Sequence, residues 1–371
     1  MKYRRAVFRK KPYDTDEKGD FIKAVREMTE YHAKRNPAYA RILSDNGFTP
    51  DMLKTEEDLY RLPFIPTLIF KKHELFTMDK RRIPVKATSS GTGGRAGVIG
   101  FEISGLFCAL KMVLKIFKYK KLFSLKPTNY IVFGYKPDKN NKTAVSKTAF
   151  GTTLFAPALH RTYALTRKNG KYEADLDKVC KAVESYAKQK HPVRFMGFPS
   201  YTYFLMKMLE DKGITLTLPK GSKIILAGGW KKYYRERVDK YEFYETAKRV
   251  LGVDDCNIIE FYGAVEHPVA YCDCKNHRLH VPAYSRVIIR DVKTLEPLPY
   301  GEIGLVELIT PMIKATPITA VMPDDLGVLH PGEECGCGIR TPYLDIIGRV
   351  GLKDVKTCAA GASELLGDVK L

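Results

Sequence analysis

No stretch of this sequence is apolar for long enough to cross a bilayer. The most apolar long run, residues 103–123, is broken by Lys111, Lys115, Lys118, Lys120 and Lys121, which a hydrocarbon core tolerates poorly. The basic N-terminus has no apolar segment behind it, so a secretory leader is not expected. Internal repeats and low-complexity tracts are also missing, which sets aside solenoids and disordered linkers. A cytoplasmic protein with no membrane span is the expectation. Acidic residues are scarce relative to basic ones, 42 Asp+Glu against 62 Lys+Arg, for a formal charge of +20. Such an excess suits a polyanion, an acidic carrier protein or a phosphorylated ligand. The basic residues are spread along the whole chain and no reader motif accompanies them, which argues against nucleic acid.

The composition present is that of a folded globular chain: 371 residues, 44% hydrophobic and 28% charged. Phe21, Ala24, Val25, Met28, Tyr31 and His32 recur at near-helical spacing and predict a helical lead-in over residues 1–80. A Gly-rich turn at 89–97 follows, and then Ser104 is expected to cap a helix whose Leu106, Leu110, Val113, Leu114 and Phe117 form one apolar stripe. Between about 128 and 265, short apolar runs alternate with helical patterns, the signature of a largely parallel sheet buried between helices. After residue 280 the texture turns to strands and turns.

Two groups of residues carry chemistry in their own right. Ser89, Ser90, Gly91, Thr92, Gly93 and Gly94, followed by Arg95, place small residues, hydroxyls and a cation together, so backbone N–H groups can approach a phosphate closely. No Gly-Lys-Ser/Thr ends the run, so it is not a Walker loop, and a plain surface turn is the alternative. The thiols form two Cys-x-Cys pairs, Cys272 with Cys274 and Cys335 with Cys337, with His277 and His280 close to the first. Four soft ligands in a reducing compartment suit a closed tetrahedral zinc site, with a histidine able to replace one cysteine. The spacing is one residue short of the usual Cys-x2-Cys knuckle, and four ordinary buried thiols are the alternative. Cys108 and Cys180 fall within helical apolar patterns and read as core.

Further segments follow in order: Lys223 to Trp230, a strand running into Gly228-Gly229; Glu260-Phe261-Tyr262-Gly263-Ala264-Val265-Glu266; Pro323-Asp324-Asp325-Leu326-Gly327; and Gly348-Arg349-Val350. With the Ser/Thr/Gly loop they resemble the adenylate-forming superfamily of acyl-CoA synthetases and adenylation domains over nearly the whole chain. The resemblance implies that Ser89 to Gly94 wrap the ATP β- and γ-phosphates and that Gly228 and Gly229 line the adenine slot. It implies that Tyr262, ahead of Gly263, stacks on adenine and that Glu266 holds Mg²⁺. Asp325 would bind the ribose hydroxyls and Arg349 would lie at the hinge beside them. Val265 stands where the family has Thr, which removes one polar contact.

The loop, the His280-Val281-Pro282 segment with Thr294-Leu295-Glu296 and Gly301-Glu302-Ile303-Gly304 behind it, and the length resemble more closely the acyl-protein synthetase (LuxE-like) branch. That resemblance implies a C-terminal cysteine, Cys358, that accepts the acyl group as a thioester. A thiolate is a strong nucleophile near neutral pH, AMP is a good leaving group, and Lys353 and Lys356 stand close by in sequence. The implied fold is α/β, an adenylate-forming core of mostly parallel sheets flanked by helices plus a β-rich appendage. Residues 1–348 would form the core, divided as 1–80, 81–270 and 271–348, and 349–371 the hinge and tail. Twenty-two residues follow Arg349, so the C-terminal alternating domain of acyl-CoA synthetases is expected to be absent. The expected reaction is ATP- and Mg²⁺-dependent activation of a fatty or other carboxylic acid and its transfer to Cys358 for an acyl reductase. Delivery to coenzyme A or an acyl carrier protein is the alternative.

Overall fold

Between residues 117 and 262 the short apolar runs of the sequence become neighbouring strands of one sheet. The computed structural model describes residues 1–88, 97–135, 151–168, 171–230 and 237–349. In the Phe117–Tyr262 unit the strands lie in the order Ile258–Tyr262, Lys223–Ala227, Val193–Gly197, Thr128–Tyr135, Ala158–Lys168 and Lys171–Ala174. The first five run parallel, and the last closes an antiparallel hairpin. Val193, Phe195, Ile224 and Ile258 are buried because helices cover the sheet. Those helices carry their own start and stop signals. Asp175 accepts a bond from the Lys178 N–H ahead of Leu176–Ala187, and Pro199 opens Pro199–Asp211. Asp239 accepts from Glu242 N–H, and Gly252, at φ 65°, ends Lys240–Leu251.

The second unit joins Met1–Ile116 to the chain from Gly263 onward. Its sheet runs Ile65–Pro66, Ala320–Met322, Ile303–Ile309, Asp325–His330, Tyr343–Arg349 and Leu279–His280, with Arg286–Arg290 also paired to Ile303–Ile309. Every pairing is antiparallel except that of Ile65–Pro66. The chain is therefore α/β, with parallel and antiparallel sheets flanked by helices. Helix Asp20–Ala33 buries Phe21, Ala24, Val25, Met28 and His32 of the face its spacing predicts and leaves Tyr31 half-buried. Among the described residues no helix is long and apolar enough to cross a membrane.

Two buried polar contacts hold this unit's segments together. Glu102 Oε1 accepts from Arg4 Nη2 at 2.9 Å, while its Oε2 accepts the N–H groups of Lys314 and Ala315 at 3.0 and 3.1 Å. One carboxylate thus ties the first helix to the 313–316 segment. Removing a partner from such a pair leaves an uncompensated buried charge. His32 is fully buried, with Nε2 3.2 Å from the Ile313 carbonyl and Nδ1 2.8 Å from Thr77 Oγ1. A carbonyl only accepts, so Nε2 carries the proton and Nδ1 accepts from the threonine. Burial, which disfavours the imidazolium, pushes this imidazole down to about 3.

The segment after the Gly-rich loop differs from expectation. Val98–Phe101 is a strand paired with Val85–Thr88, so a strand separates the loop from helix Ile103–Tyr119. The helix N-terminus is not the loop's direct continuation. Ser104 lies inside the first turn, where its hydroxyl donates to Glu102 Oε1 at 3.0 Å, and the Glu102 carbonyl accepts the first helical bond. The expected stripe holds only in part: Phe117 is buried, Leu106 and Val113 are half-buried, and Leu110 and Leu114 are 49% and 38% exposed, while Met112 and Ile116, outside the stripe, are buried.

The His32 geometry fixes a sign. Its folded value lies below the unfolded one, so its stabilisation is complete above about pH 6.5 and is lost as pH falls towards 3. Within that window it contributes a slope of about 1.4 kcal/mol per pH unit to the unfolding free energy. Urea titrations of the wild type and of His32→Gln between pH 7 and 5 are expected to differ by that slope. Parallel pH dependences would contradict the assignment. Glu102→Ala is expected to cost about 3–5 kcal/mol in the same titrations at neutral pH.

Candidate functional site

In the Phe117–Tyr262 unit the predicted adenine residues stand at the carboxyl ends of parallel strands. Gly228 and Gly229 follow Lys223–Ala227 with φ of 82° and 64°, and both are exposed. A Cβ at Gly229 meets nothing within 4 Å, so the backbone conformation, not crowding, requires glycine there. At the neighbouring strand end the reason is different: a Cβ at Gly197 lies 2.4 Å from the Phe133 carbonyl oxygen. Tyr262, half-buried, ends Ile258–Tyr262. Open α/β sheets take ligands outside the carboxyl ends of their strands, where backbone amides and aromatic faces such as these are presented.

In the other unit the chain continues through Gly263 into a tight turn. A Cβ at Gly263 would lie 2.9 Å from the Val269 carbonyl oxygen, a contact that no side chain tolerates without a shift. His267 N–H donates to Ala264 O, and Val269 N–H to His267 O, closing the turn that presents Glu266. Glu266 is buried, and next to it the fully buried His267 places Nε2 3.0 Å from Ser285 Oγ and 3.3 Å from Tyr271 Oη. Burial pushes His267 down to about 3, so the ring is neutral and adds no charge beside the carboxylate. The sequence places a histidine directly after Glu266. Its partners Ser285 and Tyr271 are brought in by tertiary packing, and no spacing rule points to them.

Asp325 and Arg349 are far apart in sequence and directly paired in the sheet: Asp325–His330 and Tyr343–Arg349 run antiparallel, with Asp325 opposite Arg349 and Leu326 opposite Gly348. Asp325 is half-buried. The register shifts between Leu326 and Gly327, where a Cβ would lie 2.9 Å from the Asp345 carbonyl oxygen. Glycine is what allows the two strands to pass there.

At the other end of the same strand pair, Cys274, His280, Cys335 and Cys337 converge. Their ligand atoms all lie within 4.8 Å of one another. Cys274 Sγ is 3.5 Å from Cys335 Sγ, and Cys337 Sγ is 3.2 Å from His280 Nε2. Burial pushes the Cys274 thiol up, but hydrogen bonds from its neighbours, the Arg278 and Asn276 amides among them, outweigh it and bring the group down. Cys335 goes the other way, up to about 12, through burial and the neighbouring thiols. Three sulfurs this close resist ionising together unless a cation joins them.

Cys272, the fourth thiol of the two sequence pairs, is not among these four. Its Sγ is 3.1 Å from Tyr13 Oη, which also donates to the Cys272 carbonyl at 3.0 Å. The two Cys-x-Cys pairs have different backbones. Cys335 and Cys337 flank Gly336 at φ 67°, a turn that brings both sulfurs to one side. Cys272 lies in the short strand Tyr271–Cys272, and the chain then turns back so that Cys274 N–H donates to Arg278 O. That turn sets Cys274 beside His280. His277 is directed elsewhere, with Nδ1 3.0 Å from Asp273 Oδ2.

Ser89, Ser90, Gly91, Thr92, Gly93, Gly94 and Cys358 lie outside the described residues, as does the side chain of Arg349.

The family described as Acyl-protein synthetase, LuxE matches residues 5–367. Two proteins named Long-chain-fatty-acid–luciferin-component ligase are similar to the chain. The one from Vibrio harveyi is 25% identical, over 92% of this chain and 86% of its own length. The one from Aliivibrio fischeri is 26% identical, over 93% of this chain and 88% of its own length. Among solved structures, a 2-hydroxyisobutyryl-CoA ligase in the postadenylation state with 2-HIB-AMP shares the fold, with a TM-score of 0.64, 17% identity, and coverage of 92% of this chain and 69% of that one. The strand ends, the Glu266 turn and the Asp325–Arg349 register thus occur in a chain that belongs to the LuxE acyl-protein synthetase family and has the fold of adenylate-forming ligases.

Proposed function

We propose that this chain is a cytoplasmic, AMP-forming acyl-protein synthetase acting on a long-chain fatty acid. The substrate carboxylate attacks the α-phosphorus of ATP, the bond to the β-phosphate oxygen breaks, and pyrophosphate leaves. The Cys358 thiolate then attacks the acyl carbon of the adenylate, AMP leaves with the acyl oxygen, and the thiol proton passes to solvent. The thioester is the form in which an acyl reductase would receive the acyl group. The observation that carries this reading is the family match over residues 5–367, which spans the phosphate loop and Cys358 alike.

Each residue has a physical task under this reading. Ser89, Ser90, Gly91, Thr92, Gly93 and Gly94 offer amides and hydroxyls to phosphate oxygens. Gly228 and Gly229 leave the adenine edge uncovered by side chains, and Tyr262, followed by Gly263, offers a ring to stack on. Glu266 supplies a hard oxygen for Mg²⁺, which lowers the charge on the transferring phosphate. Asp325 accepts from the ribose diol, and Arg349, opposite it in register, is the hinge residue beside it. Residues 1–348 form the adenylation core under this reading and 349–371 the tail. ATP and Mg²⁺ are the reaction's cofactors, and zinc is the metal that the thiol-rich cluster suits.

The activation step is tested by fatty-acid-dependent exchange of labelled pyrophosphate into ATP across a series of chain lengths. Exchange is expected for the wild type and is expected to fall about 100-fold in Glu266→Gln. Cys358→Ala is expected to keep exchange and to lose the single-turnover release of about one AMP per chain that the wild type shows in the absence of any other thiol. No acid-dependent exchange at any chain length would overturn the reading. AMP release from Cys358→Ala that requires added coenzyme A or carrier protein would assign the acyl group to an external thiol.

A further inference from the structure

The Cys/His cluster plays no part in the acyl chemistry above, yet it is built as a complete coordination shell. His280 Nδ1 is 2.6 Å from the Thr341 carbonyl oxygen. A carbonyl only accepts, so Nδ1 carries the proton and Nε2 presents its lone pair to the cluster. A histidine fixed through its other nitrogen is the arrangement metal-ligating imidazoles use. The thiols are prepared in the same way on both sides. Asn276 N–H donates to Cys274 Sγ at 3.3 Å and Ile339 N–H to Cys337 Sγ at 3.4 Å, each amide two residues after its cysteine. Such bonds favour thiolate over thiol. Asn276 Nδ2 also donates to the Cys335 carbonyl at 2.6 Å and joins the two loops.

The spacing suits one ion. With Zn–S near 2.3 Å, the edges of a tetrahedron of ligands measure about 3.8 Å. Two pairs of the cluster are at 3.5 and 3.2 Å, and no pair exceeds 4.8 Å. Three thiolates and an imidazole are the donors of a zinc site, and with four protein ligands no coordination position is left for substrate.

We propose that Cys274, His280, Cys335 and Cys337 bind one structural Zn²⁺, with His280, not Cys272, as the fourth ligand. The ion would join the turn after Tyr271–Cys272 to the turn at Gly332–Cys337, immediately before Tyr343–Arg349. Leu279–His280 pairs with the first residues of that strand, His280 opposite Tyr343, and Arg349 ends it opposite Asp325. The metal therefore fixes the start of the strand whose far end carries Arg349. This proposal stands whether or not the acyl-transfer reading holds.

The test is the metal content of the full chain, purified under reducing conditions from zinc-replete medium and washed with chelator. The expected result is about one zinc per chain in the wild type and in Cys272→Ser, and almost none in His280→Ala or Cys337→Ser. Should His280→Ala fail to fold, His280→Cys decides, because it is expected to keep the metal. In Co²⁺-loaded protein, His280→Cys is expected to shift the thiolate charge-transfer and visible bands, and Cys272→Ser to leave them in place. Metal lost from Cys272→Ser and retained by His280→Ala would overturn the ligand set. A wild type without metal, or with Cys274 and Cys335 joined as a disulfide, would overturn the site.

Discussion

Antiparallel pairing of Asp325–His330 with Tyr343–Arg349 determines what can meet in the larger unit. At one end it sets Asp325 opposite Arg349, and at the other His330 opposite Tyr343. The Tyr343 ring stacks on His330 at 4.7 Å and lies 5.7 Å from His280. Arg278 reaches past that ring to Asp345 at 2.7 Å. A slip of one residue would turn every side chain of the strand to the opposite face. It would remove Asp325 from its place opposite Arg349 and His330 from its place opposite Tyr343. The bulge at Leu326/Gly327 adds a further constraint, since Gly327 passes too close to the Asp345 carbonyl to carry a side chain.

Much of the architecture is legible in the sequence because parallel strands buried on both faces have little choice of residue. Val193–Gly197, Lys223–Ala227 and Ile258–Tyr262 read as short apolar runs between helical patterns, and all three are strands of one sheet. The double glycine after Lys223–Ala227 is legible for the same reason, since two successive left-handed residues leave little alternative. Helix Ile103–Tyr119 is apolar on more than one side, so periodicity finds Phe117 but does not select Met112 and Ile116 over Leu110 and Leu114. A Ser ahead of an apolar run resembles a cap, but here Glu102 takes that position and its side chain is occupied by Arg4 and two backbone amides.

The Cys/His cluster marks the limit of spacing rules. Two Cys-x-Cys pairs look equivalent in sequence, yet one is bent at a left-handed glycine and the other begins in a strand. Only the hairpin that returns from Cys274 to His280 sets the imidazole beside the thiols. The partner of each ring sets His280 apart from His277: the Thr341 carbonyl for one and the Asp273 carboxylate for the other. Glu266 presents the same contrast. Its place in a motif is visible in sequence, but the clamp of His267 with Ser285 and Tyr271 belongs to tertiary structure alone.

Formation of an acyl adenylate by this chain and capture of the acyl group on its own thiol can be read together from intact mass. The full chain is incubated with ATP, Mg²⁺ and fatty acids of graded length, beside Cys358→Ala. The expected adduct has the mass of one fatty acid less one water, is removed by hydroxylamine and is absent from the variant. An unchanged wild-type mass, or an equal adduct on Cys358→Ala, would contradict it.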